Sequence, residues 1–230
     1  IDPANMTVIE IVSTAIEADD LLRIVASGLN IDHAGKNKAE LLLLIERGLH
    51  AVARTGRRTL LIVDESQALP TSALEELRML TNINSGTDEL LQLILLGQPE
   101  LREIITRPEL RQFAQRVSAT FHLGSFDADT SAAYICHRLR KAGGSGNEID
   151  SPAAARIHAE ARGVPRMINK IADLALVYGA AADRHSIGTD IVDELIRDGL
   201  ILTSPPEPTL PERPGRLVLA HEQEVKRDAT

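Results

Sequence analysis

At 230 residues and 43% hydrophobic content, the chain can hold one large domain or two small ones around a real core. Aromatics are only 2% and Trp is absent, so that core is aliphatic, which suits a helix-rich α/β protein with parallel strands. The net charge of −8 argues against a surface that grips nucleic acid along its whole extent, and the one cysteine, Cys136, excludes an internal disulfide.

Taken in order, Thr7–Val12 alternates imperfectly and reads as an edge or near-edge strand. Ala18 to Leu29 carries Leu21, Leu22 and Val25 at helical spacing, and Lys38 to Arg54 is a second amphipathic helix. Gly56 ends that helix before Leu60–Val63, an all-apolar run that reads as a buried strand. A helix from about Ser72 to Asn82 follows, then a turn at Ser85-Gly86-Thr87 and a second buried strand over Leu90–Leu96. Pro99 to Thr106 and Pro108 to Gln115 read as short helices, and Ala119 to Leu123 as a short strand. From Asp129 the pattern is purely helical, over Ser131–Ala142, Pro152–Arg162, Pro165–Ala182 and Thr189–Asp198. Thr203 to Pro214 carries Pro205, Pro206, Pro208, Pro211 and Pro214 and is expected to be extended and unpacked. The expected division is an α/β core over residues 1–125, a helical part over 126–200 and a Pro-rich, disordered tail over 201–230.

No apolar run approaches the roughly 20 residues that span a bilayer. No signal peptide is visible, and a reducing cytoplasm is the default compartment. The chain begins Ile1-Asp2-Pro3 rather than with Met, which suggests a piece of a longer protein.

The stretch Leu60-Leu61-Ile62-Val63-Asp64-Glu65-Ser66 delivers two acidic residues to the end of a buried strand. Ligands of open α/β folds bind in the crevice above such strand ends. There Asp64 would hold magnesium through water and Glu65 would orient or deprotonate an attacking water, as in a nucleotide triphosphatase. The plainer alternative has Asp64 and Ser66 capping the next turn. Gln98, in Gly97-Gln98-Pro99-Glu100 at the end of the next buried strand, could sense a terminal phosphate or simply lie in a strand-to-helix turn. Arg102, Arg107, Arg111 and Arg116 crowd one short segment. Arg116, directly before the last expected strand, is preferred as the group that reaches a neighbouring subunit's nucleotide, with Arg111 its rival. Arg166, at the start of the helix opened by Gly163-Val164-Pro165, could swing over a phosphate or lie in water; a cation there is mildly disfavoured by the helix dipole.

Two patterns are set aside. His33-Ala34-Gly35-Lys36-Asn37 has a Gly-Lys pair but Asn37 in place of a hydroxyl residue, and it lies between helices rather than after a strand. The seven histidines show no H-x-x-x-H spacing, and one cysteine cannot build a zinc set.

Together these residues resemble the AAA+ ATPases of the ExeA/GspA type, which serve general secretion, MSHA-pilus biogenesis and exosortase-linked export. Leu60–Leu69 resembles the Walker B segment and Leu74–Leu80 the helix after it. Leu93–Leu101 is similar to the sensor 1 region and Arg107–Arg116 to the arginine-finger region. Ala132–Gly143 and Gly163–Asn169 resemble the lid helix and sensor 2. The resemblance implies an α/β fold: a parallel-sheet P-loop NTPase (AAA+) core with a C-terminal helical lid domain. It implies ATP and Mg2+ as cofactors, with Asp64 on the metal and Glu65 catalytic. Gln98 would occupy the sensor 1 region, Arg116 or Arg111 the finger and Arg166 sensor 2. It further implies a homo-oligomer acting on a secretion or pilus assembly protein, in the cytoplasm or at the inner membrane face.

One departure is large. The family opens with a strand, a Walker A loop and a helix, and no G-x-x-x-x-G-K-[ST] occurs here. The missing first strand belongs between the family's fourth and fifth, so its loss leaves buried edges without backbone partners. These residues alone are therefore expected to be poorly stable or repacked, weak in nucleotide binding and inactive. Two other readings stand beside the export motor. One is a DNA-associated regulator of the TniB/TnsC transposition type; the other is a non-catalytic AAA+-like module.

Overall fold

The computed structural model describes residues 5–12, 16–85 and 88–200. The expected Pro-rich tail, and Gly86 and Thr87 of the expected turn, lie outside them. The chain divides into two compact units, Ile1–Thr120 and Phe121–Thr230.

The first unit is built on a parallel sheet of β1 (Met6–Val12), β2 (Arg58–Asp64) and β5 (Leu91–Leu95), in the order β1-β2-β5. β2 is central. Its Leu60, Leu61 and Val63 are buried, as a parallel strand covered on both faces requires. The register pairs Val12 with Asp64 and Val63 with Leu95, so the three strands end together. Among the described residues β1 is an edge, as its imperfect alternation implies. Among the described residues β5 ladders only with β2, and Ile94 on it is 42% exposed.

Helices α1 (Ala18–Gly28), α2 (Lys38–Arg54) and α3 (Thr71–Leu80) supply most of the remaining core. Leu21, Leu22 and Val25 of α1, Leu41, Ile45 and Leu49 of α2, and Leu74, Leu77 and Leu80 of α3 are buried in one cluster with the sheet. Gly28 lets α1 lie close on β1: a Cβ there would stand 2.7 Å from the Ile9 side chain. The Gly-Lys stretch before α2 is a helix approach. Asn37 caps α2, accepting from the Glu40 N–H at 3.0 Å while the Glu40 carboxylate accepts from the Asn37 N–H at 2.9 Å. Arg23 donates to the carbonyls of His33 and Lys36, each at 3.2 Å.

Between α3 and β5 lies a small antiparallel ladder of β3 (Asn84–Ser85) and β4 (Asp88–Glu89), which the sequence pattern does not signal. After β5 come α4 (Glu100–Ile105), a 3-10 turn over Pro108–Leu110 and α5 (Arg111–Ala114). Pro108–Gln115, expected as one helix, is thus broken in two, and buried Leu110 and Phe113 pin it to the core. The expected strand at Ala119–Leu123 does not form. Phe121 and Leu123 are 72% and 84% exposed, and no described strand pairs with them.

The second unit is all helical: α6 (Ala128–Lys141), α7 (Ser151–Ala161), α8 (Pro165–Ala181) and α9 (Thr189–Arg197). Ile135, Ile157, Ile168, Ile171, Ala175, Val192 and Leu195 form its core. Tyr178 of α8 packs half-buried against this core, and its hydroxyl donates to Asp198 at 2.9 Å. The next residue, Gly179, is buried, and Ile187 packs so close that a Cβ there would lie 2.1 Å from its side chain. Asp127 and Asp150 cap α6 and α7, accepting from the backbone N–H groups of Thr130 and Ala153, each at 2.7 Å. Cys136 is a free, half-buried thiol on α6.

Candidate functional site

β2 ends at Asp64, and the turn that follows is shaped by backbone bonds to β5. Leu96 donates to the Val63 carbonyl at 2.8 Å, and Ser66 donates back to the Leu96 carbonyl at 2.9 Å. The fully buried Ser66 hydroxyl donates to the Val63 carbonyl at 2.8 Å, and the 3-10 turn over Ser66–Ala68 that follows is closed by Ala68 donating to the Glu65 carbonyl at 2.9 Å and Leu69 to the Ser66 carbonyl at 3.2 Å. This couples the ends of the two strands, so whatever follows β2 sits beside whatever follows β5.

Glu65 occupies the pivot of that turn. Its backbone is left-handed, at φ 52° and ψ 35°, a region that costs a residue with a side chain about 1 to 3 kcal/mol. The Asp64 carboxylate supports it, Oδ1 accepting from the Glu65 N–H at 2.8 Å. Gln67 supports it from the other side: its Nε2 donates to Glu65 Oε2 at 2.6 Å, and its Oε1 accepts from the Gln98 N–H at 3.1 Å. Asp64, Glu65 and Gln98 are all exposed. The structure therefore brings these three sequence-predicted residues together at the C-terminal end of the sheet. Gln67, which joins them, was missed. A Gln two places after an acidic pair carries no signal until the turn's handedness is known.

The plain capping alternative accounts for part of this arrangement. Asp64 Oδ1 is engaged by the turn, but the described residues leave Oδ2 free, facing solvent at a strand end. Among the described residues no cluster of three or more His, Cys, Asp or Glu could cage a metal. A lone exposed carboxylate fits magnesium, which keeps several waters and takes its other ligands from phosphates.

The arginines lie elsewhere. Arg111 opens α5, and Arg116 follows it, its N–H donating to the Phe113 carbonyl at 2.9 Å. Both side chains are exposed, with no hydrogen-bond or ion-pair partner among the described residues. Arg166 belongs to the second unit. It is exposed in the first turn of α8, directly after Pro165. Its approach is set by two successive left-handed residues, Arg162 at φ 53° and Gly163 at φ 73°.

Residues 3–105 match the family model of the AAA domain. General secretion pathway protein A of Aeromonas hydrophila is 34% identical over 186 residues, covering 80% of this chain and 34% of that protein. Among solved structures, the ADP form of the Aeropyrum pernix ORC2 protein aligns with a TM-score of 0.65 at 14% identity, over 84% of this chain and 53% of that one. The Thermotoga maritima RuvB Holliday junction branch migration motor aligns with a TM-score of 0.50 at 17% identity, over 84% and 61%. At those identities the two structures speak for the fold alone. That fold, a parallel sheet with helices followed by an all-helical unit, is that of the AAA+ class of P-loop NTPases.

Within that class the chain is of the ExeA/GspA type. It spans about a third of the length of the secretion protein it matches. Among the described residues no helix is long and apolar enough to cross a membrane.

Proposed function

We propose that this chain is the hydrolytic core of an ATP-driven protein that powers or regulates assembly of an export or pilus machine. The observation that carries the proposal is the acidic pair Asp64–Glu65 at the end of the central strand, coupled to Gln98 at the end of β5. In this reading Asp64 holds magnesium through water, and the magnesium offsets phosphate charge. Glu65 aims the attacking water and takes its proton. Gln98 senses the terminal phosphate from the next strand.

Arg116, with Arg111 as the alternative, reaches a neighbouring copy's nucleotide, which makes the working form a homo-oligomer. Among the described residues both guanidiniums are without a partner, which supports this, since an arginine held in a local ion pair would first have to break it. Arg166, exposed in the first turn of α8, is a phosphate-contacting group in the same reading. The secretion assignment rests on the likeness to general secretion pathway protein A. The 230 residues hold no G-x-x-x-x-G-K-[ST] sequence, so in this reading the phosphate cradle comes from outside them.

The test is calorimetric titration of magnesium-ATP into these 230 residues and into the full-length protein. Weak binding by the former, and tight binding by the latter that weakens on Asp64→Ala when magnesium is present, is the expected pair of results. Tight binding by the 230 residues, lost on Asp64→Ala, would refute an external cradle. Full-length binding indifferent to both magnesium and Asp64 would refute the role of Asp64.

A further inference from the structure

Gln67 makes two hydrogen bonds that fix its amide in one orientation. The Glu65 carboxylate can only accept and the Gln98 N–H can only donate, so Nε2 must face Glu65 and Oε1 must face Gln98, as observed at 2.6 and 3.1 Å. One half-buried side chain thus spans from the acid at the end of β2 to the backbone at the end of β5. Gly97 leaves room for it. A Cβ at that position would stand 2.7 Å from Gln67 Oε1 and 3.1 Å from the Leu101 side chain, too close for either to stay where it is. Glu65 itself is held in a left-handed backbone conformation, an outlier of the kind that accompanies functional pre-organisation. Its carboxylate direction is set by that backbone and by the Gln67 amide.

We infer that Gln67 is a positioning residue: it ties the orientation of the Glu65 carboxylate to the position of the Gln98 turn. The inference rests on the ATPase reading above. With Oε2 held by the amide, Oε1 of Glu65 is the oxygen left to take the proton of the attacking water. Movement of Gln98 against a terminal phosphate is transmitted through the Gln67 side chain to that carboxylate. Gln67 therefore acts on turnover and not on nucleotide affinity. A Gln67 that only braced the turn would act on stability and leave turnover alone.

The experiment compares kcat, KM for magnesium-ATP and Tm of the full-length protein with those of Gln67→Met, Gln67→Glu and Glu65→Gln. Met keeps the length of the side chain and removes both hydrogen bonds. Glu keeps an acceptor for the Gln98 N–H but sets a carboxylate against Glu65. Both variants are expected to lower kcat by about 10- to 100-fold, with KM changed less than about threefold. Gln67→Glu gives a second reading should Gln67→Met fold poorly. Unchanged kcat in both, with Glu65→Gln inactive, would overturn the positioning role and leave the ATPase reading standing. A lowered Tm with kcat unchanged would make Gln67 a brace and also overturn it. Turnover equal in Glu65→Gln and the unsubstituted protein would overturn both readings.

Discussion

Replacing Gly163 with Ala isolates a close backbone approach in the helical unit. Gly163 has φ +73°, and a Cβ there would stand 2.0 Å from the Phe126 carbonyl oxygen, against about 3.3 Å for a close carbon–oxygen contact. The contact is with backbone, so no side chain can swing away. Residue 126 must retreat by about 1 Å or more, and the Phe126 N–H bond to the Gly163 carbonyl, now 2.8 Å, would be lost. That bond is worth about 1 kcal/mol net, and the left-handed backbone costs Ala about 1 kcal/mol more. Displacing Phe126 also disturbs its edge-on packing against Tyr134, with ring centroids 5.4 Å apart, worth about 1 kcal/mol. The sum is about 3 kcal/mol, or about 12 to 24 °C in Tm for a unit of this size. Gly199 is the control. Its φ is +67°, with no described atom within 4 Å of a Cβ, so Gly199→Ala should cost only the backbone term of about 1 kcal/mol. Thermal unfolding followed by far-ultraviolet circular dichroism measures both. Equal shifts in the two variants would refute the backbone contact as the reason for glycine at 163.

Leu61, fully buried in the central strand, should cost about 2 to 5 kcal/mol when cut to Ala, measured by urea unfolding, whereas Val12, 69% exposed at the end of β1, should cost less than about 0.5 kcal/mol. Acid should weaken the helical unit. Thr130, through its side chain and backbone, holds the Asp127 carboxyl below the ordinary range, and the Arg184 hydrogen bond does the same for Asp190. Backbone N–H bonds, chiefly those of Glu148 itself and Ser145, lower Glu148. Carboxyls depressed in the folded state take up protons more readily when unfolded. Their stabilisation is therefore complete above the unfolded values and is lost as pH falls from about 4 through the lower folded values. The urea midpoint should drop over that window, and Asp127→Asn, which keeps a cap acceptor but cannot titrate there, should drop less. An equal drop in Asp127→Asn would remove Asp127 from the account.

Much of the fold was legible because burial leaves its own record in sequence. Leu60–Val63 of β2 reads as an unbroken apolar run and Leu90–Leu96 around β5 as a nearly apolar one, although of β5 itself only Leu91 is buried, and the stripes of α1, α2 and α3 carry Leu and Ile at helical spacing. Ala119–Leu123 alternates like a strand, with Ala119, Phe121 and Leu123 on one side. Alternation gives a strand only where a partner supplies the ladder, and none of the described strands does. The β3–β4 ladder was invisible because pairs of two residues have no period to detect. At the site, Asp64 and Glu65 could be read from a strand ending in acids, and Gln98 from the end of the next strand. Gln67 could not, because its reach to both depends on the left-handed turn at Glu65 and on the bare backbone of Gly97.

The most direct test of the account is phosphate release from magnesium-ATP by the full-length protein, unsubstituted and with Glu65→Gln, alongside nucleotide binding by both. If Glu65 aims and deprotonates the attacking water, turnover falls by about 100-fold or more while ATP still binds. Phosphate release that survives Glu65→Gln undiminished would mean that the acid at the end of β2 does not carry the reaction.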